Sequence, residues 1–445
     1  MRRLGVLRRC RVGWVALALC LGCGDDPRPN LLLISIDTLR ADRIGAYGYE
    51  RETTPTLDAL AARGVRFETV IAESSWTLPS HVTLFTGLPP SFHGVVRPNQ
   101  GLAETIPTLA EILRQYGYRT SGITGGVFLE ERFGVARGFD QYRDDGVDFS
   151  TALRIVLRIL ERPPRAGPFF WFIHTYDVHC PYHPPARYAR MFDSRPPRDR
   201  LDTRGRCGNP HYNRMPLRPG QVAFLSDRYD AGIRYADDLL GDFLAKLDAS
   251  GRLDHTIVAV VSDHGDEFLE HGRIGHRNTL FIESLRIPWI LAGPGIEPGV
   301  VTEPVGLADV MPTLLDLLGL PVPDLEGRSM RAVMRGEARR NGERPVFSEN
   351  QWGEELYSAV FGDHHLIVRR QTQQVQLFDW RRDPRESRDL LGERPARDET
   401  LRRLLSERIG RLDAARNRNA PEIAPGPSDP EQARLRALGY VEVEP

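Results

Sequence analysis

The sequence predicts a doubly wound α/β fold: a mostly parallel sheet flanked by helices, followed by a small C-terminal α+β subdomain. Three apolar runs carry this prediction, at residues 31–36, 169–173 and 256–261. Each run has the length and the β-branched or aromatic content of a strand that is buried on both faces. Helical segments separate the runs along the chain, and this alternation is typical of α/β proteins.

The other elements of this domain follow from the same patterns. We expect further strands at 65–71, 119–123 and 287–291, a loop at 125–140, and an insertion or lid at 184–219. Helices are expected at 54–63, 106–115, 151–160, 221–247 and 309–318. Four aspartates of the longest helix lie mostly off its apolar stripe and are interpreted as a solvated face: Asp227, Asp230, Asp237 and Asp242.

Changes in the strand-like runs and in the composition along the chain predict the domain boundaries. The catalytic α/β domain is expected to cover residues 30–326. Short strand-like runs then indicate a small antiparallel-sheet subdomain at 327–395, and a helical tail rich in Arg and Pro at 396–445.

Composition excludes two classes of function. The chain has 445 residues, 41% of them hydrophobic, and a net charge of −1, so it carries no charge footprint of nucleic-acid binding. Lys246 is the only lysine, which argues against an active site that depends on Lys.

The N-terminus is typical of an export signal. Basic residues precede an apolar stretch at 12–21 that is too short to span a bilayer, and the stretch ends at Gly22 and Cys23. Residues 1–23 are therefore predicted to be a signal peptide of the lipoprotein type, with Cys23 lipidated. An ordinary cleaved signal peptide is the alternative. Both predict export to a bacterial periplasm or cell surface, and the first predicts membrane attachment by a lipid anchor only.

Two cysteines remain outside this leader, Cys180 and Cys207. They could pair in an oxidising compartment, but the sequence does not show whether they lie close together.

Acidic and imidazole groups follow the three apolar runs. Asp37 ends the first run, and Asp263 with His264 follows the third. Ligands bind at the carboxyl ends of strands in open α/β sheets, so these groups are candidate metal ligands. A helix cap is the alternative for Asp37. The second run leads into three further candidates, which are His174, Asp177 and His179.

Thr77 is the candidate nucleophile. Pro79 and Gly87 mark the expected start and end of a helix, which places Thr77 at a helix N-terminus, where backbone N–H groups favour an anion. An ordinary N-cap role is the alternative. A cation held by Asp37, Asp263 and His264 would lower the pKa of the Thr77 hydroxyl, which is a poor nucleophile without such help.

The chain resembles the sulfatase family of the alkaline-phosphatase superfamily from about residue 30 to about residue 391. The matching stretches are residues 30–42, 177–182, 262–265, 275–288 and 377–386. The resemblance implies an ester hydrolase with a metal at Asp37, Thr77, Asp263 and His264. It also implies that His179 and His276 contact the anion or protonate the leaving group. Candidate substrate contacts are His81, His174, Asp177 and Asn278.

The chain also departs from the family pattern at positions of the expected site, and these departures bear on the chemistry. Thr77 stands where sulfatases carry the Cys or Ser that becomes formylglycine, and His81 replaces the supporting Arg. Thr38 replaces a metal-binding Asp, and His276 occupies a Lys position. No formylglycine is therefore expected, and Mn²⁺ or Zn²⁺ is favoured over Ca²⁺ because imidazole replaces a carboxylate. This set is similar to the nucleotide pyrophosphatase/phosphodiesterases and the lipoteichoic-acid-synthase-like transferases.

The leading hypothesis is a hydrolase or transferase that acts on a phosphoester through a phosphothreonine at Thr77. The alternatives are a sulfuric ester hydrolase without formylglycine and a non-catalytic surface-binding protein. The expected substrate is a small-molecule, glycan-linked or lipid-linked anionic ester.

Overall fold

A computed structural model describes residues 28–161, 167–193, 196–201, 203, 217–337, 344–393, 395–416 and 420–438. The strands are β1 Asn30–Ile36, β2 Val65–Phe67, β3 Val70–Ile71, β4 Gln100–Gly101, β5 Arg119–Ile123, β6 Gln141–Arg143, β7 Phe169–Thr175, β8 Thr256–Val261, β9 Glu267–Phe268, β10 Ile274–Gly275, β11 Arg286–Ile287, β12 Trp289–Ala292, β13 Gly299–Val301, β14 Val305–Gly306, β15 Val346–Asn350, β16 Leu356–Phe361, β17 His364–Arg369, β18 Gln374–Asp379 and β19 Glu422–Ile423.

The α-helices are α1 Pro55–Ala62, α2 Thr77–Thr86, α3 Pro90–His93, α4 Leu109–Gln115, α5 Phe149–Leu160, α6 Ala186–Phe192, α7 Pro219–Ala249, α8 Ile282–Leu285, α9 Val310–Leu317, α10 Arg331–Met334, α11 Pro395–Arg416 and α12 Asp429–Ala437. None of the helices in these ranges is long and apolar enough to cross a membrane. The predicted leader and Cys23 lie outside the described residues.

An eight-stranded sheet forms the centre of the molecule, in the order β13-β2-β12-β8-β1-β7-β5-β6. β1 is the middle of the parallel part, because it pairs in parallel with both β7 and β8. Only β12 runs antiparallel to its neighbours. The predicted doubly wound, mostly parallel sheet is therefore confirmed.

Alternate residues of β1 face two separate cores, as expected for a strand that is covered on both sides. Leu31 and Leu33 belong to the core that contains α2, α4 and α9. Leu32 and Ile34 belong to the core that contains α1, α5 and α7. The strand is thus fixed from both faces, and its carboxyl end presents Asp37 at a rigid position.

The C-terminal part of the chain forms the predicted small subdomain. β15 to β18 make a four-stranded antiparallel sheet in sequence order. Leucines of α11, such as Leu401 and Leu405, pack against residues of this sheet.

Two predicted strands are each divided in the structure. The stretch 65–71 forms β2 in the large sheet and β3 in a separate three-stranded sheet. The stretch 287–291 is divided into β11 and β12 at Pro288, which has no N–H to donate to a ladder. The predicted loop at 125–140 contains two 3-10 turns, Val127–Leu129 and Glu131–Phe133, whose apolar side chains join the core.

The interpretation of the α7 aspartates was wrong for three of the four. Only Asp242 is exposed. Asp230 is fully buried and pairs with Arg51 at 2.6 Å and with Arg43 at 3.3 Å. Asp237 accepts hydrogen bonds from Thr56 N and Leu57 N, at the start of α1. Residues off the apolar stripe are buried here because other segments pack on this face and supply donors to it.

Part of the predicted insertion at 184–219 is helical, because α6 lies within it and packs on α7. Cys180 is disulfide-bonded. Its partner lies outside the described residues, as does Cys207.

Candidate active site

Three predicted metal ligands meet at the carboxyl ends of neighbouring strands. Asp37 follows β1, and Asp263 with His264 follows β8, which pairs with β1. One ligand atom from each of the three residues lies within 4.8 Å of the other two. All three side chains are fully buried.

The chemistry of this group fits a divalent cation. Asp37 Oδ1 and Asp263 Oδ2 are buried, and neither has a hydrogen-bond partner in the described structure. His264 Nδ1 donates to the carbonyl of Gly265 at 2.9 Å, so a neutral ring has its lone pair on Nε2, 3.2 Å from Asp263 Oδ2. Orphaned carboxylate oxygens beside an imidazole lone pair are the donors that such an ion uses.

The two carboxylates experience opposite electrostatic environments. Burial and the nearby Asp263 raise the pKa of Asp37 well above its usual range. Burial acts in the same direction on Asp263, but His264 and His81 outweigh it and lower the pKa of Asp263 below its usual range. Two buried acids this close repel each other unless a positive charge lies between them.

Thr77 is the first residue of α2, and its hydroxyl faces the metal ligands. The Thr77 Oγ1 atom donates to Asp37 Oδ2 at 3.4 Å and lies 3.4 Å from His264 Nε2. The N-cap residue is Trp76, and no side chain caps the helix. The alternative of an ordinary N-cap role for Thr77 is therefore wrong. The helix ends at Gly87, whose positive φ of 66° suits a left-handed C-cap.

His81 lies one helical turn after Thr77 in α2, and its ring is fully buried. His81 Nδ1 donates to the Thr77 carbonyl one helical turn earlier, at 2.9 Å. His81 Nε2 accepts from the Ser35 hydroxyl, also at 2.9 Å. Both ring nitrogens are thus hydrogen-bonded within the protein, where they support the turn that carries Thr77, and the substrate contact of His81 stays a prediction.

His174 also supports a ligand, where a substrate contact was predicted. The Gly125 N–H donates to His174 Nδ1 at 3.3 Å, so the proton of a neutral ring is on Nε2. That nitrogen donates to Asp37 Oδ2 at 3.1 Å. A metal-binding carboxylate commonly has such a hydrogen-bonded partner, which fixes its orientation.

Asp177 and Asn278, two further predicted substrate contacts, make hydrogen bonds to the protein itself. Asp177 Oδ2 accepts from Phe149 N and from Thr175 Oγ1, both at 2.8 Å, and thereby holds the start of α5. Asn278 Nδ2 donates to the His276 carbonyl at 3.1 Å. Asn278 thus stabilises the loop that carries His276.

His179 and His276 complete a cluster of imidazoles beside the metal ligands. The ring centroid of His276 lies 4.4 Å from that of His264 and 5.0 Å from that of His179. Burial, followed by the neighbouring His276, lowers the pKa of His179 to about 3. Burial and His264 lower the pKa of His276 well below its usual range. Both rings are therefore neutral near neutral pH in the free protein.

Asp266 is a site residue that the sequence did not reveal. Its Oδ1 atom lies 3.0 Å from His276 Nδ1, and its Oδ2 accepts from the Tyr182 hydroxyl. Burial raises the pKa of Asp266 to about 6. The one available signal was its place two residues after His264, in the same strand-end loop.

Thr38 shows how the site accommodates the loss of a carboxylate. The Thr38 hydroxyl donates to the carbonyl of Asp37 at 2.7 Å, and the Thr38 N–H donates to Asp263 Oδ1 at 3.2 Å. The Thr38 N–H therefore orients the Asp263 carboxylate, and the Thr38 hydroxyl holds the backbone carbonyl of Asp37.

The fold, with strand-end acids and histidines close to a threonine at a helix N-terminus, fits a hydrolase of the alkaline-phosphatase type. The chain belongs to the sulfatase family, whose model matches residues 29–320. Enzymes of this superfamily are metal-dependent.

The chain is similar to known proteins in both sequence and fold. The chain is 24% identical to an arylsulfatase of Clostridium perfringens over 468 residues, which cover 86% of this chain and 94% of the relative. It is similar in fold to an enzyme solved with its substrate D-glucosamine-2-N,6-O-disulfate, at TM-score 0.73 and 19% identity over 91% and 99% of the two chains. The phosphonate monoester hydrolase of Agrobacterium radiobacter matches at TM-score 0.69 and 21% identity, over 89% and 97%.

Proposed function

We propose that this protein cleaves or transfers a phosphoester by way of a covalent phosphothreonine at Thr77. The observation that carries the proposal is the position of the Thr77 hydroxyl. It lies 3.4 Å from both Asp37 Oδ2 and His264 Nε2, at a helix N-terminus that no side chain caps. Thr77 stands in place of the serine or cysteine that matures to formylglycine. Oxidation of threonine would give a ketone, so Thr77 cannot form formylglycine.

The proposed reaction has two half-reactions, transfer of the phosphoryl group to Thr77 and its release from Thr77. The Thr77 Oγ forms a bond to phosphorus while the bond from phosphorus to the leaving oxygen breaks, and the leaving oxygen takes up a proton. Water or an acceptor hydroxyl then attacks phosphorus in line with the bond to Thr77, from the face that the first leaving group vacated. The bond from phosphorus to the Thr77 oxygen breaks, and Thr77 regains its proton. The N-terminus of α2 faces the transferred group and favours its negative charge throughout.

A divalent cation is assigned to Asp37, Thr77, Asp263 and His264, with Mn²⁺ or Zn²⁺ favoured over Ca²⁺. When bound there, it would supply positive charge that lowers the pKa of the Thr77 hydroxyl and neutralises the ester oxygens. His174 fixes the orientation of the Asp37 carboxylate for this purpose.

The proton for the leaving group is assigned to the pair of Asp266 and His276. Both imidazoles of the cluster are neutral in the free protein, so neither carries a spare proton near neutral pH. Asp266 Oδ1 lies 3.0 Å from His276 Nδ1, and burial raises the pKa of Asp266 to about 6, so the pair gains a proton close to the pocket as pH falls through about 6. His179 stands beside His276 and is positioned to hydrogen-bond the anion.

The substrate class is proposed from the relatives. An arylsulfatase and an enzyme that binds a glucosamine disulfate are among the similar proteins, and a phosphonate monoester hydrolase shares the fold. We therefore propose a small or glycan-linked anionic ester, or a lipid-linked one. Export and lipid anchoring at Cys23 remain part of this proposal.

A sulfuric ester hydrolase is the second candidate, favoured by the arylsulfatase relative. Its covalent intermediate would be a sulfated threonine. This ester cannot expel sulfate through a hemiacetal, as a formylglycine adduct does, so its turnover should be slow.

Matched substrates separate the two candidates. The metal-loaded protein should be assayed on an aryl phosphate monoester, an aryl phosphodiester and an aryl sulfate that share one leaving group. We expect a higher kcat/KM on one of the phosphoesters than on the sulfate. A clear preference for the sulfate would reverse the assignment, and binding of anions without turnover would support the non-catalytic alternative.

A further inference from the structure

A second cluster of metal-ligating groups lies apart from the four residues assigned above. One ligand atom each from His271, Glu283 and Glu386 lies within 4.8 Å of the other two. The three residues come from separate segments: the turn between β9 and β10, the helix α8, and the turn after β18. We propose that they form a second divalent-cation site, which joins the active-site loop to the C-terminal subdomain.

The carboxylate of Glu283 is the observation that points to an ion. Glu283 is only 5% exposed, and neither of its oxygens has a hydrogen-bond partner among the described residues. Burial without a hydrogen-bond partner strongly disfavours a charged carboxylate, so a compensating cation is expected. Glu267 and Glu386 lie near it and add repulsion.

The cations already present do not neutralise Glu283. Arg40 lies nearby, but its guanidinium donates to Asp42, Glu270 and the Asp266 carbonyl. His271 Nε2 lies 3.4 Å from Glu283 Oε1 and has no hydrogen-bond partner of its own in the described structure. An imidazole nitrogen and a carboxylate that face each other without a hydrogen bond leave room for an ion between them.

Glu386 is oriented as a metal-binding carboxylate usually is. Its Oε1 atom lies 2.6 Å from His365 Nδ1, and its Oε2 accepts from the Ile282 N–H at 2.9 Å. Both Glu386 and His365 are buried. Each carboxylate oxygen keeps a second lone pair, so these hydrogen bonds leave Glu386 able to ligate an ion.

The donor set indicates the class of metal. One imidazole nitrogen and two carboxylates suit Zn²⁺ or Mn²⁺, whereas Ca²⁺ takes six to eight oxygen ligands. Glu283 also lines a surface cleft together with Arg40, Arg286 and Trp380, which gives the ion a route from solvent. We assign Zn²⁺ as the ion to be tested.

The location suggests what the ion would do. The β9–β10 hairpin that carries His271 connects Asp266 to His276 along the chain. Glu386 belongs to the C-terminal subdomain and also holds the first residue of α8. An ion here would therefore tie the subdomain to the loop that positions the histidines of the active site.

Metal stoichiometry tests the site without reference to activity, so its failure is distinguishable from failure of the proposed function. The full-length protein is stripped with a chelator, dialysed against ZnCl₂ at controlled free concentration, and analysed for zinc per chain. The comparison includes wild type, Glu283→Gln, and Asp263→Asn as the matched variant of the first site. We expect Glu283→Gln and Asp263→Asn each to bind one zinc fewer than wild type.

A second readout guards against a variant that misfolds. In the Asp263→Asn background, added Zn²⁺ should raise the Tm by several degrees, and His271→Gln should remove this shift while the circular dichroism spectrum is kept. Equal zinc contents for wild type and Glu283→Gln would overturn the proposal. So would a Tm of Asp263→Asn that does not respond to Zn²⁺.

Discussion

Buried carboxylates occur in two contrasting settings in this molecule. On α7, Asp230 accepts from Tyr49 and pairs with Arg43 and Arg51, and Asp237 accepts from two backbone N–H groups. At the ends of β1 and β8, Asp37 and Asp263 each keep a buried oxygen without a partner. Both groups are almost fully buried, yet only the second keeps oxygens without a hydrogen-bond partner among the described residues.

In these four acids, an oxygen without a hydrogen-bond partner, and not burial alone, separates the two at the strand ends from the two on α7. A structural acid is stabilised by the partners that fold around it. An acid of a metal site is left with a deficit that an ion is expected to fill. Glu283 belongs to the second group by this criterion, although it lies apart from Thr77.

The largest effect is expected at the nucleophile. Thr77→Val keeps the shape of the side chain but removes the attacking oxygen, so kcat should fall by at least about 10³-fold. Thr77→Ser keeps the hydroxyl and serves as the matched control, with kcat within about tenfold of wild type. Steady-state kinetics on the preferred ester measure both. A Thr77→Val protein with full turnover would eliminate the covalent mechanism.

Exchanging an acid in each setting tests the comparison directly. Asp37→Asn should lower kcat by about 10²-fold or more without destabilising the metal-stripped protein, because burial and the nearby Asp263 already disfavour a charge on Asp37. Asp230→Asn should leave kcat nearly unchanged but cost about 2 kcal/mol of unfolding free energy, because Arg43 and Arg51 lose their counter-charge. Urea unfolding and kinetics on both variants check this. Equal changes in kcat and in unfolding free energy for the two variants would contradict the contrast between the two settings.

The last prediction affects stability only, through its dependence on pH. Glu73 is buried and accepts from the Ala308 N–H at 3.1 Å, and burial raises its pKa to about 8. The folded protein keeps a proton that the unfolded chain loses above pH about 4.5, so this contribution is complete at low pH and lost as pH rises through about 8.

Glu73→Gln does not titrate and isolates that contribution. The unfolding free energy of wild type should fall relative to the variant by up to about 1.4 kcal/mol per pH unit between those two values. Denaturant unfolding at a series of pH values measures the difference. Parallel curves for the two proteins would show that Glu73 has an ordinary pKa.

Much of the fold and the centre of the site could be predicted from the sequence. The long apolar runs of β1, β7 and β8 are unambiguous, and parallel strands bring their carboxyl ends to one edge. Asp37 and Asp263 were found for that reason. Thr77 was found because Pro79 and Gly87 mark the limits of a helix.

The remaining features depend on contacts between distant segments. The hydrogen bonds of His81 and His174 could not be predicted, because a sequence gives no information on what each ring nitrogen contacts. Asp266 was missed because it lies further along the loop after β8 than Asp263 and His264 do. His271, Glu283 and Glu386 could not be grouped, since only the packing of the C-terminal subdomain brings Glu386 to α8.

The central claim is that the transferred group is bonded to Thr77 during turnover. The stereochemical course at phosphorus tests it most directly, with an aryl phosphorothioate diester of known configuration as substrate and with methanol as acceptor. Two successive in-line displacements, through Thr77 and then through the acceptor, predict overall retention of configuration. Inversion would mean that the acceptor attacks the ester directly, and would contradict the account.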